Sequence, residues 1–105
     1  MAKKVTAADF QAEVLEATVP VMVDVMGPDC GQCRMMAPLV DQIDRGSAGK
    51  VKVVMLDSST DLQTALAYGV KNLPTFLFFK NGELKDTFAG PTTRDNLVNR
   101  LKALL

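Results

Sequence analysis

The sequence predicts an α/β fold: one central mixed five-stranded sheet flanked by four helices, in the order β-α-β-α-β-α-β-β-α, forming one domain over residues 1–105. Three observations carry this prediction. Near-continuous apolar runs of strand length, from Val19 to Met26, Val51 to Leu56 and Phe76 to Phe79, read as strands of a sheet buried on both faces. Between the early strands lie segments whose apolar residues recur at helical spacing, so those strands pair in parallel. Asn81-Gly82 then joins the last two strands as a hairpin, which makes that pair antiparallel.

The elements follow in order. Val5 is the one strong apolar residue before Thr6, so the first strand is short and peripheral. Thr6 is an N-cap and Asp9 lies in the first turn of a helix that Phe10, Val14 and Ala17 continue. The strand from Val19 to Met26 is β-branched at alternate positions, and Gly27-Pro28-Asp29 ends it. From Cys30 the period is helical, with Met36, Leu39, Val40 and Ile43 along one stripe. Pro38 lies inside that stripe and is expected to kink the helix rather than end it, because the apolar period resumes beyond it. Gly46-Ser47-Ala48-Gly49 closes the helix. After the third strand, Asp57 to Asp61 form a loop ending in capping residues. Leu62, Ala65 and Leu66 then support a short helix to Tyr68, with Gly69 at its C′ position. Leu73-Pro74-Thr75 leads into the fourth strand, and Gly90-Pro91 ends the fifth, which begins at Leu84. Thr92 or Thr93 caps a last helix with Leu97, Val98, Leu101, Leu104 and Leu105 on one face.

Composition narrows the function. A chain of 105 residues, 48% of them hydrophobic, buries a core without needing staples. Twelve basic and twelve acidic side chains cancel and no basic block stands out, so nucleic acid and anionic membranes have no electrostatic footing. Histidine is absent, which removes Cys-His nucleophilic catalysis and imidazole metal sites. The basic start is interrupted by Asp9, Gln11, Glu13 and Glu16; neither a signal peptide nor a membrane span is expected, and a reducing cytoplasm is the expected location.

Cys30 and Cys33 are the only two cysteines. Thiols two residues apart, where a strand gives way to a helix, can close and reopen a small disulfide ring. A structural brace is the first alternative, but so small a ring constrains the unfolded chain weakly. A metal half-site is the second; two thiolates are too few unless a dimer supplies four. Redox chemistry is the reading the residues favour. Asp24 is the next informative position, because a carboxylate inside an apolar strand is costly to bury unless paired or protonated. An edge position that lets it reach solvent is the plainer alternative.

The residues around these landmarks resemble the thioredoxin family over essentially the whole chain. The resemblance rests on Val23-Asp24, Cys30-Gly31-x-Cys33, Met36-Ala37-Pro38, Tyr68-Gly69-Val70, Leu73-Pro74-Thr75, Phe79-Lys80-Asn81-Gly82 and Gly90, in that order and spacing. It implies a thiol-disulfide oxidoreductase, in particular a protein-disulfide reductase, with Cys30 as nucleophile, Cys33 as resolving thiol and Asp24 as proton acceptor and donor for the buried sulfur. It implies a cis bond before Pro74 and substrate contacts at Asp29, Gly31, Gln32, Leu73, Pro74 and Gly90. No bound cofactor and no metal are implied. The partners would be disulfide-containing proteins and an electron donor such as a thioredoxin reductase-type flavoprotein, and the chain is expected to act as a monomer. A thiol metal carrier or a binding subunit without turnover is the reading from another class.

Four positions depart from the usual family pattern. Asp29 and Gln32 replace the Trp and Pro of Trp-Cys-Gly-Pro-Cys, Met26 stands where a second Trp is common, and Met55 where a Lys is common; the chain has no Trp. Asp29, at ~7 Å and an effective dielectric of ~40–80, would disfavour the Cys30 thiolate by roughly 0.6–1.2 kcal/mol, making the dithiol a better reductant. It would also shift partner choice away from acidic surfaces. Met55 would leave Asp24 without a nearby cation, so that desolvation raises its pKa. Met26, Met35, Met36 and Met55 are expected to gather around the site as adaptable packing.

Overall fold

A computed structural model describes residues 2–105, and among them the five strands form one sheet in the order β1-β3-β2-β4-β5. The strands are β1 (Lys3–Val5), β2 (Val21–Met26), β3 (Lys52–Asp57), β4 (Thr75–Lys80) and β5 (Glu83–Ala89). The helices are α1 (Ala7–Phe10, continued by a π-helical stretch Gln11–Leu15), α2 (Gly31–Gly46), α3 (Leu62–Ala67) and α4 (Arg94–Lys102). β1 and β2 pair parallel to β3, while β4 runs antiparallel to both β2 and β5. The central strand is therefore β2, the one that leads into the cysteine pair.

Period-2 alternation divides the core between the two faces of this sheet. Val21, Val23, Val25, Val54, Leu56, Leu77 and Phe79 pack on one side with Phe10 and Val14. Phe10, Tyr68 and Phe79 meet there with ring centroids 5.1–5.7 Å apart, tying α1 and the end of α3 to β4. Met22, Val53, Phe76 and Phe78 face the other way, onto Met36, Val40 and Ile43 of α2 and Leu97 and Leu101 of α4. β1 is the short edge strand expected of a single apolar residue, yet Val5 is fully buried in the first of these cores.

The helix ends follow their capping chemistry except at α3. The Asp9 carboxylate accepts the Thr6 N–H at 3.1 Å, and the Thr93 hydroxyl accepts the Asn96 N–H at 3.2 Å. Asp61, expected to cap α3, is at its N-cap but makes no side-chain capping bond there. Its carboxylate instead accepts the Ala7 N–H at the start of α1, at 3.0 Å. Of the three apolar residues that support α3, Leu62 and Leu66 are both 54% exposed, and only Ala65 is buried. Leu105 likewise departs from the α4 face and is 64% exposed, because helical geometry ends at Lys102. α2 runs through Pro38 without interruption: its buried face resumes at Val40 and Ile43, and packing outweighs the one missing N–H.

Candidate active site

The geometry of the cysteine pair follows from a change of element. β2 ends at Met26, and Gly27, Pro28 and Asp29 carry the chain over the sheet edge. Cys30 is then the N-cap of α2, with extended backbone (φ −106°, ψ 103°). At a helix start the first N–H groups have no intrahelical acceptors, and one of them finds sulfur: the Cys33 N–H donates to Cys30 Sγ at 3.0 Å. Cys30 and Cys33 are joined as a disulfide, their Cα atoms 5.2 Å apart. The two sulfurs differ in access. Cys30 is half-buried, while Cys33, one turn into the helix, is only 6% exposed.

Asp29, Gly31 and Gln32 surround Cys30 and are exposed. Across the sheet edge, the antiparallel register pairs Asp24 with Phe76 and Val25 with Thr75, so that the next residues, Pro74 and Leu73, come up beside Met26 and Gly27. A Cβ on Gly27 would lie 3.0 Å from Leu73 Cδ1, so the Leu73 side chain closes over the start of the cysteine loop. The Leu73–Pro74 peptide bond is cis, and the Pro74 carbonyl accepts the Gly90 N–H at 2.7 Å. Gly90 has φ +97°, a left-handed value that suits glycine. Leu73, Pro74 and Gly90 thus form one connected backbone unit at the edge beside the cysteine loop.

Asp24 lies beneath this edge. Alternation along β2 places it with Met22 on the face that α2 covers, so its sheet neighbours are Met55 and Phe76 rather than the valines adjacent in sequence. It is 2% exposed, and Oδ1 has no hydrogen-bond partner. Burial raises its pKa from 3.8 to about 7. The interior position excludes the solvent-reaching alternative, and Met55 is the direct cross-strand neighbour at the point where a lysine would have supplied a cation.

The methionines separate. Met36 is buried against the sheet and Met55 packs at the border of the same core, but Met35 is 78% exposed. Successive helical residues point about 100° apart, so neighbours in sequence cannot both face the site. Two residues gain roles that composition did not suggest. Arg34 turns its guanidinium back to the Pro28 carbonyl, at 3.2 Å, and brings a cation to the first turn of α2. Asp57, at the end of β3, accepts the Ser59 N–H and hydroxyl at 2.8 and 2.7 Å, which lowers its pKa and fixes the turn beside Met26. Nothing local marks either residue: Arg34 acts only once α2 returns it to Pro28, and Asp57 only at the turn beside Met26.

Among the described residues, no cluster of three or more His, Cys, Asp or Glu side chains is arranged to hold a metal ion, and no helix is long and apolar enough to cross a membrane. The family model described as Thioredoxin matches residues 1–103. Thioredoxin 1 of Synechococcus elongatus is 42% identical over 101 residues, covering 96% of this chain and 94% of the relative. Thioredoxin of a Synechocystis species is 40% identical over 102 residues, covering 97% and 95%. Thioredoxin of Rickettsia felis is 39% identical over 99 residues, covering 94% of each chain. With a cysteine pair in disulfide form at the head of α2 and matches over nearly its full length, the chain belongs to the thioredoxin family, thiol-disulfide oxidoreductases that take electrons from a reductase and pass them to disulfide substrates.

Proposed function

We propose that this protein is a protein-disulfide reductase in which Cys30 attacks the substrate and Cys33 resolves the intermediate. The difference in access between the two sulfurs carries the assignment: a substrate can reach half-buried Cys30 at the helix start, whereas Cys33 is covered. The N-cap position favours the Cys30 thiolate through the helix dipole and the Cys33 N–H. In the reduced protein, Cys30 sulfur bonds to one sulfur of the substrate disulfide. The substrate S–S bond breaks, and its other sulfur leaves as a thiolate that takes up a proton. Cys33 then gives its proton to Asp24 and attacks Cys30 Sγ; the mixed disulfide breaks, and the second substrate sulfur leaves as a thiolate that takes up the proton Asp24 held. Two electrons and two protons have passed to the substrate.

A carboxyl group with a pKa of about 7 is suited to this exchange, since it can take and return a proton near neutral pH. Asp29, Gly31 and Gln32 are the substrate contacts beside Cys30, and Leu73, Pro74 and Gly90 those of the adjoining segment, where an extended chain can pair with the backbone of half-buried Leu73. The two electrons are restored by a flavoprotein of the thioredoxin reductase type. The protein acts in the cytoplasm as a monomer, as one thioredoxin-like domain over residues 1–105. The test is trapping: a reduced Cys33→Ser variant should accumulate a mixed disulfide at Cys30 with a protein disulfide such as insulin, and Cys30→Ser should accumulate none. Equal trapping at Cys33 in Cys30→Ser would reverse the roles.

A further inference from the structure

We propose that the cleft between the end of α2 and the face of α4 binds a small amphiphilic anion: a free medium-chain carboxylate, with its chain on the cleft floor and its head group at Lys50 and Lys102. The site lies at the end of the molecule away from the cysteines and does not depend on the roles given to Cys30 and Cys33. The 16 residues of α2 carry the chain about 24 Å from Cys30 before it turns back into β3. There a cleft of about 260 Å³ lies between the two helices. Buried Ile43 and Leu101, with half-buried Val51 and Val98, give it an apolar floor. Two features leave that floor uncovered. α2 ends in small residues, and a Cβ on Gly46 would meet nothing within 4 Å. Leu105 reaches the lining but is 64% exposed, since helical geometry ends at Lys102.

The charge around this floor has one sign. Lys50, Arg94 and Lys102 line the cleft, and among the described residues no carboxylate side chain does. Asp44 near the end of α2 and Asp95 in the first turn of α4 both lie outside the lining. Arg94 is 3.9 Å from Asp95, whereas Lys50 and Lys102 make no ion pair among the described residues. In a chain without net charge this is a local excess of cations, and an anion between them relieves their mutual repulsion. The floor adds a second requirement. An inorganic anion would leave the valines in water, and a neutral hydrocarbon would leave the ammonium groups unanswered. One carboxylate on a short apolar chain meets both needs. The volume sets the length: the cleft falls just below the usual ligand-pocket range of about 300–1,000 Å³, which suits a chain of about eight carbons. A partner helix, about 10–12 Å across, is too wide to enter it.

Titration of the oxidised, isotope-labelled protein with sodium octanoate, followed by amide NMR shifts, tests this. Saturable shifts should centre on Lys50, Val51, Val98 and Lys102, with a Kd of about 0.1–1 mM. Acetate, which has the charge without the chain, and 1-octanol, which has the chain without the charge, should each bind about five- to tenfold more weakly. Lys50→Gln/Lys102→Gln should weaken octanoate by a similar factor and leave 1-octanol unchanged, while Lys50→Arg/Lys102→Arg should keep octanoate binding. Both double variants should reduce insulin at the parent's rate, which confirms that they are folded and that the cleft is separate from the cysteines. Octanoate shifts that do not saturate or that centre elsewhere overturn the proposal, as does equal affinity for octanoate and 1-octanol or full affinity in the Gln variant. Cleft shifts produced by phosphatidylglycerol vesicles or by an acidic helical peptide, where octanoate produces none, would assign the site to a different occupant and also overturn it.

Discussion

Two opposite charges lie in the segment around Cys30. Asp29 precedes it, exposed and engaged in no ion pair among the described residues, while Arg34 folds back along the first turn of α2 to the Pro28 carbonyl. The anion disfavours the thiolate and the cation favours it, so the two substitutions should act in opposite directions. Asp29→Asn should raise the thiolate share at neutral pH about three- to eightfold, and Arg34→Met should lower it. The rate of Cys30 alkylation by iodoacetamide in the reduced protein reads both; a slower Asp29→Asn variant would show that the charge of Asp29 is not what tunes the sulfur. Residues of this kind differ in how far the sequence reveals them. Cys30, Cys33 and Asp24 are visible because each breaks the pattern of its own segment. Arg34 is not, since its effect depends on a helix returning the guanidinium to Pro28. Met35 misleads for the related reason that a neighbour of buried Met36 lies about 100° round the helix.

At the scale of elements, strong local chemistry was readable and weak local chemistry was not. The β4–β5 turn is fixed by Asn81 (φ 53°) and Gly82 (φ 78°), the left-handed pair that a two-residue hairpin requires. Gly82 has a second reason to be glycine, because a Cβ there would lie 2.9 Å from the Leu15 carbonyl oxygen. Gly82→Ala should therefore cost about 1–3 kcal/mol in urea unfolding. Thr93→Ala, which removes only the bond to the Asn96 N–H, should cost about 1 kcal/mol. If the two prove equal and small, the hairpin turn does not press on the end of α1. α3 is the contrary case. Six residues give too short a pattern to fix its phase: Leu62, Ala65 and Leu66 all support a helix, and only Ala65 is buried. Asp61 shows the same limit: a capping residue is recognisable, but which helix it serves depends on α1 and α3 meeting in space.

For the whole molecule, the consequence of placing a carboxylate inside a two-faced core is a stability that depends on pH. Asp24 binds its proton more tightly in the folded chain, at about 7, than its ordinary value of 3.8 allows in the unfolded one. Between those values the folded molecule keeps a proton that the unfolded chain has released, so stability falls as pH rises through the window and levels off above it. The full span amounts to about 4 kcal/mol, a large share of the ~5–15 kcal/mol that hold a domain of this size. Asp57 acts with the opposite sign in a different range: its lowered pKa stabilises the fold above 3.8, and that contribution is lost only as pH falls further into acid. The window from pH 5 to 8 therefore isolates Asp24. Asp24→Asn should flatten the profile of the oxidised protein there and exceed the parent in stability by about 2–4 kcal/mol at pH 8, with a smaller margin at pH 5. Urea unfolding at the two pH values measures this directly. A parent whose stability is the same at both would mean that Asp24 is ionised in the fold at little cost, and that a partner satisfies the oxygen left bare beside Met55 and Phe76.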